Sequence, residues 1–203
     1  MRAFYVLMTI LMAFSAKAIA QEDWKLEKQK DGISIFNRKS EGSKLKEFKG
    51  VVKVKASVQE ILTYINDASK HDKFMYKCKR GSVKVVKKVN PAEFYTYMVI
   101  ETPWPASERD VITHYSISKP DKTGAVTITL RGVPDLLPEE QGKVRVPMMK
   151  GYWKLVPLPN GETEIIHQAL SAPGGNVPES LANSASVDAP FSMLLKLKEL
   201  VEK

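Results

Sequence analysis

Hydrophobic and polar residues alternate with a period of two over most of this chain, and the period lengthens to that of a helix in only two places. Ile33-Ser-Ile-Phe-Asn-Arg38 and the run from Leu45 to Lys55 alternate as strands and lie close enough in sequence to pair. Further strands are predicted at 82–89, 93–101, 110–118, 124–131, 143–156 and 162–170, separated by the turn signals Asn90-Pro91, Lys119-Pro120-Asp121, Thr123-Gly124 and Pro159-Asn160-Gly161. Strands joined by such short turns make an antiparallel sheet. Ahead of them, residues 22–29 are expected as a short helix or leading segment, ended by the turn Asp31-Gly32.

The first helical stretch announces itself with a capping box, Ser57 at the N-cap and Glu60 three residues on, before Val58, Ile61, Leu62 and Ile65 recur at helical spacing. A helix over 57–67 follows. The second begins after the breaker cluster Ala172 to Pro178 and runs to about Glu202, with a kink expected at Pro190. In its second half Met193, Leu194, Leu197, Leu200 and Val201 line one face, opposite Lys196, Lys198, Glu199 and Glu202. An apolar stripe of that length has to be buried against another layer, and the concave face of the sheet is the only broad one available. Between the strands ending at 131 and beginning at 143, residues 131–142 form a long connection carrying Leu136 and Leu137, the profile of a compact omega-type loop.

The hairpin of the 93–101 and 110–118 strands carries the most pointed chemistry. Its connection, Thr102-Pro103-Trp104-Pro105-Ala106-Ser107-Glu108-Arg109, is stiffened by two prolines and delivers the charge pair Arg109-Asp110 to the start of a half-buried strand. A guanidinium there needs a partner or water, because burying a lone charge is costly. The residues expected to face the helix are Tyr95, Tyr97, Val99, Ile112, Tyr115, Ile128, Tyr152, Trp153 and Leu155 from the strands and Met193 and Leu197 from the helix, with Arg109 as the charged exception. Such a set either encloses an apolar cavity with a few placed polar groups or packs solid, and the pattern alone is compatible with both.

Composition narrows the function classes. The first twenty residues pair an early Arg2 with a short apolar run and the small-residue site Ala18-Ile19-Ala20, the pattern of a cleaved signal peptide, leaving residues 21–203 as a single domain. The expected destination is the periplasm or the exterior. The leader carries Arg2 and Lys17, so its removal lowers the net charge of +8 by two. Much of the remaining excess lies in residues 73–88, where Lys73, Lys77, Lys79, Arg80, Lys84, Lys87 and Lys88 occur without an acid, either a solvated basic face or, in an exported protein, a segment suited to an anionic membrane surface rather than nucleic acid. Cys78 is the single cysteine, so no internal disulfide forms, and a small hydrophobe, buried or partly exposed, is its simplest role. His71, His114 and His167 fall in separate elements, and no G-x-S-x-G, H-E-x-x-H, C-x-x-C or phosphate-binding glycine loop is present. No catalytic residue, metal or cofactor is therefore expected, and the chain should act as a monomer.

Several features, in order along residues 21–203, resemble the StAR-related lipid transfer (START) family. They are Asp31-Gly32-Ile33 with Arg38, the run Pro103-Trp-Pro-Ala-Ser-Glu-Arg-Asp110, Pro138 with Gly142-Lys-Val-Arg145, Gly151-Tyr-Trp153, Pro173-Gly-Gly175 with Pro178, and the closing amphipathic helix. The resemblance implies an α+β helix-grip fold, a curved antiparallel sheet wrapped around a long C-terminal helix with an internal apolar cavity. It also implies binding of one hydrophobic lipid, sterol-like, hopanoid, phospholipid or fatty acid, without chemistry on it. The 131–142 loop and the C-terminal helix would correspond to the family's gate, and Arg109 to a cavity arginine that some members pair with an acid on the preceding strand. Here that strand offers Thr96 and Tyr97 instead, so Asp110, Glu108 or a lipid head group are the candidate partners. Related helix-grip proteins include cyclases and hydrolases, which makes an enzyme one rival reading, and a membrane-surface or partner-binding module with a filled core another.

Overall fold

The computed structural model describes residues 24–40 and 45–203. The leader expected at 1–20 lies outside the described residues. Thirteen principal elements follow in the order β1 Lys25–Lys30, β2 Ile33–Lys39, β3 Lys46–Val54, α1 Val58–Ile65, α2 His71–Phe74, β4 Lys84–Asn90, β5 Glu93–Ile100, β6 Glu108–Ile117, β7 Val126–Gly132, β8 Lys143–Arg145, β9 Met148–Pro157, β10 Thr163–Ala172 and α3 Glu179–Val201. The strands form one sheet in the order β1-β2-β3-β10-β9-β7-β6-β5-β4, antiparallel throughout, with β8 added in parallel beside β6. This is the helix-grip architecture: one curved antiparallel sheet with α3 on its inner face, packed chiefly on β2, β3 and α2.

Three local outcomes differ from the sequence expectations. Residues 25–30 are a strand, not a helix, because Asp31 and Gly32 both adopt positive φ and close a tight hairpin onto β2. That edge strand is short, bulged and lysine-rich, which suits a sheet edge left open to water. The expected 143–156 strand divides at Val146-Pro147: β8 leaves to pair with β6, and β9 starts beyond the proline, which has no N–H to give a ladder. Finally, α3 runs unbroken through Pro190. The missing N–H at Pro190 frees the carbonyl of Ser186, and the buried Asn37 side chain on β2, with its amide turned to donate there, reaches that oxygen at 3.2 Å. A side chain from the sheet thus replaces the lost helical hydrogen bond.

The C-terminal half of α3 seals one end of the interior. Leu194 and Leu197 are fully buried, which contributes about 1.5–3 kcal/mol each. Their close seat depends on Gly50, where a Cβ would come within 2.6 Å of Leu194 Cδ1. The last turn is tied to its surroundings by Tyr64 Oη donating to the Leu200 carbonyl at 3.1 Å and by the Lys55 amide donating to Glu202 Oε1 at 2.9 Å. The Ser57–Glu60 capping box forms as the sequence predicts.

Candidate functional site

Successive residues of a strand point to opposite faces, and Arg109-Asp110 is divided in this way. Across the β5–β6 register, Arg109, Val111, Thr113 and Tyr115 share the inner face with Met98, Thr96 and Phe94, whereas Asp110 and Ile112 share the outer face with Val99 and Tyr97.

On the outer side, buried Arg145 of β8 donates from Nε and Nη2 to Asp110 Oδ2 at 3.0 and 2.9 Å. Its Nη1 and Nη2 also donate to the carbonyls of Pro134, of Leu137 at 3.0 Å and of Pro138 at 2.9 Å. These bonds fasten residues 134–138 over a small separate cluster of Tyr97, Val99 and Ile112 with Val86, Val133 and Leu137. Burial pushes the Tyr97 hydroxyl well above the usual phenol range. Tyr95 lies on the same side, stacked on His114 at 4.4 Å. Four residues expected to face the helix, Tyr95, Tyr97, Val99 and Ile112, therefore face away from it, as does Tyr152, whose hydroxyl donates to Gln168 Oε1 at 2.8 Å. The 134–138 part of the expected gate loop covers that outer cluster rather than the inner face.

The inner face is graded. Two cross-sheet rows, Ile33–Val52–Ile165–Leu155–Val126 and Ile35–Gly50–His167–Trp153–Ile128, are closed to solvent and bear on the C-terminal half of α3. Trp153 stacks on His167 with ring centres 3.7 Å apart and meets Phe74 of α2 edge-on. His71, beside Phe74, lies 5.4 Å from Tyr115. Toward the other end comes the row Ala169–Gly151–Leu130–Tyr115–Phe94, small on β10 and β9 and bulky on β7, β6 and β5; beyond it Gly132, Thr113 and Thr96 stand beside Met149, followed by Val111 and Met98. Gly151, Gly132, Met149 and Met98 are partly accessible although they face inward. At this end stands Arg109, in register with Val144 of β8. Over it passes the turn leading into α3, where a Cβ on Gly175 would be 3.8 Å from Arg109 Nη2.

Of the expected site residues, Arg109, Tyr115, Ile128, Trp153, Met193 and Leu197 belong to the inner side. Those the sequence reading missed are Thr96, Met98, Val111, Thr113, Val144 and Met149. Their signal was parity: once Arg109 is taken as inward, every second residue of β6 and its cross-strand partners follow.

The polar groups of the inner side are few. Arg109 is only 6% exposed; its Nη1 donates to the Ser107 carbonyl, its Nε has no partner, and among the described residues no carboxylate lies within ion-pair distance of it. Both candidate acids are engaged elsewhere, Asp110 with Arg145 and Glu108 with Lys79 Nζ at 2.7 Å. Trp153 Nε1 and Asn183 Oδ1 are likewise buried without partners among the described residues. Burial holds the His167 imidazole down at about 4 despite its hydrogen bond from Nδ1 to the Tyr152 carbonyl, so it is neutral near pH 7. His71 is lowered for the same reason, with Nε2 donating to the Ile65 carbonyl at 2.8 Å. Burial raises the Cys78 thiol, which makes it a poor nucleophile. Among the described residues no group of His, Cys, Asp or Glu side chains is gathered to hold a metal ion.

The rim beside Arg109 is different in kind. Trp104, at the tip of the β5–β6 connection, is 92% exposed between Pro103 and the cis-bonded Pro105. The basic segment runs alongside: Lys79 donates its amide to the Val99 carbonyl, Glu101 donates to the Lys77 carbonyl, both at 2.8 Å, and Cys78 bridges to Ile100. No helix among the described residues is long and apolar enough to cross a membrane.

Comparison with known proteins agrees with this architecture. Residues 9–193 match the START domain. An uncharacterized protein of Pseudomonas aeruginosa is 38% identical over 198 residues, which cover 98% of this chain and 96% of that one. The crystal structure of a STAR-related lipid transfer protein from Xanthomonas axonopodis superimposes with a TM-score of 0.81 at 35% identity, covering 89% of this chain and 99% of the other. Human StAR-related lipid transfer protein 5 shares the fold at 16% identity, with a TM-score of 0.78 and coverage of 88% and 86%. The chain belongs to the START domain family.

Proposed function

We propose that this protein binds one hydrophobic lipid between the inner face of the sheet and the N-terminal half of α3, and carries it without altering it. The observation that carries this reading is the gradient along the inner face. It is sealed by Trp153, Leu194 and Leu197 at one end and lined at the other by small side chains, methionines and the buried Arg109, with Gly132, Gly151, Met98 and Met149 partly accessible. Sheltering a lipid tail is worth about 0.8 kcal/mol per methylene, enough to hold a ligand that water rejects. The same figure requires exchange at a membrane rather than through water. Trp104, exposed at the tip of the β5–β6 connection, and the basic segment that pairs with the end of β5 form a rim suited to an anionic bilayer. The N-terminal half of α3 and the 173–178 turn act as the gate, since the fully buried leucines of α3 lie in its C-terminal half and its N-terminal half is held to β2 through the polar contact Asn37–Ser186 and to β1 through Lys28–Asp188. The protein works as a monomer after export by its leader, in the periplasm or outside the cell.

The test is extraction of lipid from vesicles containing phosphatidylglycerol, followed by separation of vesicles and analysis of the protein-bound lipid. A protein with α3 fixed to β2 by a disulfide, N37C with S186C in a C78S background, is the control; the two native side chains touch at 2.8 Å. Extraction is expected to stop in the oxidised form and return on reduction. Undiminished extraction with the disulfide closed would refute the gate. W104A is expected to fold normally and to extract lipid more slowly. A protein that associates with vesicles yet removes nothing would instead be a surface-binding module.

A further inference from the structure

We propose that the outer face of the sheet docks an extended acidic segment of a partner protein, with an apolar side chain of that segment seated in a groove beside residues 133–136. This surface lies on the opposite side of the sheet from the lipid-binding compartment, and the inference stands independently of that reading. Strand parity places Lys87, Tyr95, His114, Arg131 and Lys150 side by side in one outer row that crosses β4, β5, β6, β7 and β9. Arg131 and Lys150 are direct cross-strand partners and both are exposed. Like charges set opposite each other weaken a sheet. Neither of them, nor Lys87, forms an ion pair among the described residues, and Glu93, beside the row, is engaged with His114 at 3.0 Å. The fold thus keeps a positive row at the surface and supplies no counter-charge to it.

Against the middle of that row lies a groove of about 380 Å³, open to solvent and lined by Tyr95, Arg131, Val133, Pro134, Asp135 and Leu136. Its shape is set in advance, which lowers the cost of filling it. Arg145 holds one wall by donating to the carbonyls of Pro134 and Leu137, and Tyr95 is fixed by its stack on His114 and by Lys87 Nζ, 5.3 Å from its ring centre. Leu136, 37% exposed, gives that wall an apolar lip. Length decides against a small anion: from Lys87 to Lys150 is four strand spacings, about 19 Å, which an extended chain of about six residues spans. The apolar lip and the Asp135 carboxylate decide against a uniform polyanion, since neither attracts one. A peptide alternates carboxylates with apolar side chains and so matches both the row and the groove. A flat bilayer is the poorer fit, because the outer face of a sheet wrapped around α3 is convex.

Titration of the protein with acetyl-Glu-Glu-Leu-Phe-Glu-Glu-amide, read by calorimetry and by the amide shifts of Gly132 and Leu136, tests this. Binding is expected below about 1 mM peptide and about tenfold tighter than that of acetyl-Glu-Glu-Ser-Ser-Glu-Glu-amide. R131E turns the like pair with Lys150 into an opposite pair, so it should fold, and it should weaken the first peptide about tenfold. L136S should bring the first peptide down to the affinity of the second. Equal affinities for the two peptides would mean attraction by charge without the groove and would overturn the proposal. So would binding that R131E and L136S both leave unchanged, or no binding at 1 mM. Phosphatidylglycerol vesicles that shift the Gly132 and Leu136 amides where the peptide does not would assign this face to a membrane instead.

Discussion

Arg109 and Arg145 lie one step apart in the β6–β8 register, both are buried, and they have opposite fates. Arg145 makes five hydrogen bonds, two to Asp110 and three to the carbonyls of a loop that it thereby fixes. Arg109, on the other side of the same sheet, makes one. The first arginine is part of how the fold closes its outer face. The second is a buried charge on the inner face with no carboxylate within ion-pair distance among the described residues. The same chemical group is thus buried in two ways, one with its donors engaged and one with a donor left over.

The comparison breaks most visibly at Arg145. R145M leaves the Asp110 carboxylate buried without its partner and releases the 134–138 segment, so chemical denaturation should show a loss of about 3–5 kcal/mol. Adding D110N should recover part of that loss, since the stranded charge is then gone. A cost below about 1 kcal/mol would mean that the outer network is decorative.

The sealed end carries a second consequence. His167 is neutral in the folded protein with a pKa of about 4, whereas an unfolded chain protonates it near 6.5. Its folded value lies below its unfolded one, so protons favour the unfolded chain, and stability should fall as pH drops from about 6.5 to about 4. The total is about 3 kcal/mol for this group, and H167Q should show a flatter profile of stability against pH over that window. An unchanged slope would place the pH dependence in other groups.

The smallest effect on stability is expected at Arg109. R109M removes a buried charge that has no counter-ion among the described residues, so the variant should match or slightly exceed the unsubstituted protein, within about 1 kcal/mol. A loss as large as that of R145M would make Arg109 a structural residue and erase the contrast.

The capping box at Ser57, the Asp31-Gly32 turn and the 93–117 hairpin were legible because each is fixed by residues near in sequence. Residues 25–30 were misread because their strand form depends on β2, not on their own pattern. The site was half legible. Tyr95, Tyr97, Val99 and Ile112 read as inward because β5 and β6 are apolar on both faces, which removes the alternation that normally marks the core side. What covers their outer face is a segment some thirty residues downstream, held by Arg145, and no local period announces that.

By itself, then, the sequence determined the order of the strands, the long apolar-faced closing helix and the placement of a charge pair at the head of β6, because period, turn chemistry and caps act over a few residues. Only the tertiary structure decided which way each residue of that pair points and which acid is engaged with which cation. Those outcomes depend on β8 leaving its own continuation to pair with β6, and α3 likewise depends on Asn37 reaching across the chain to supply the hydrogen bond that Pro190 denies it. Contacts between residues distant in sequence have no local signature, and the candidate site is composed of them.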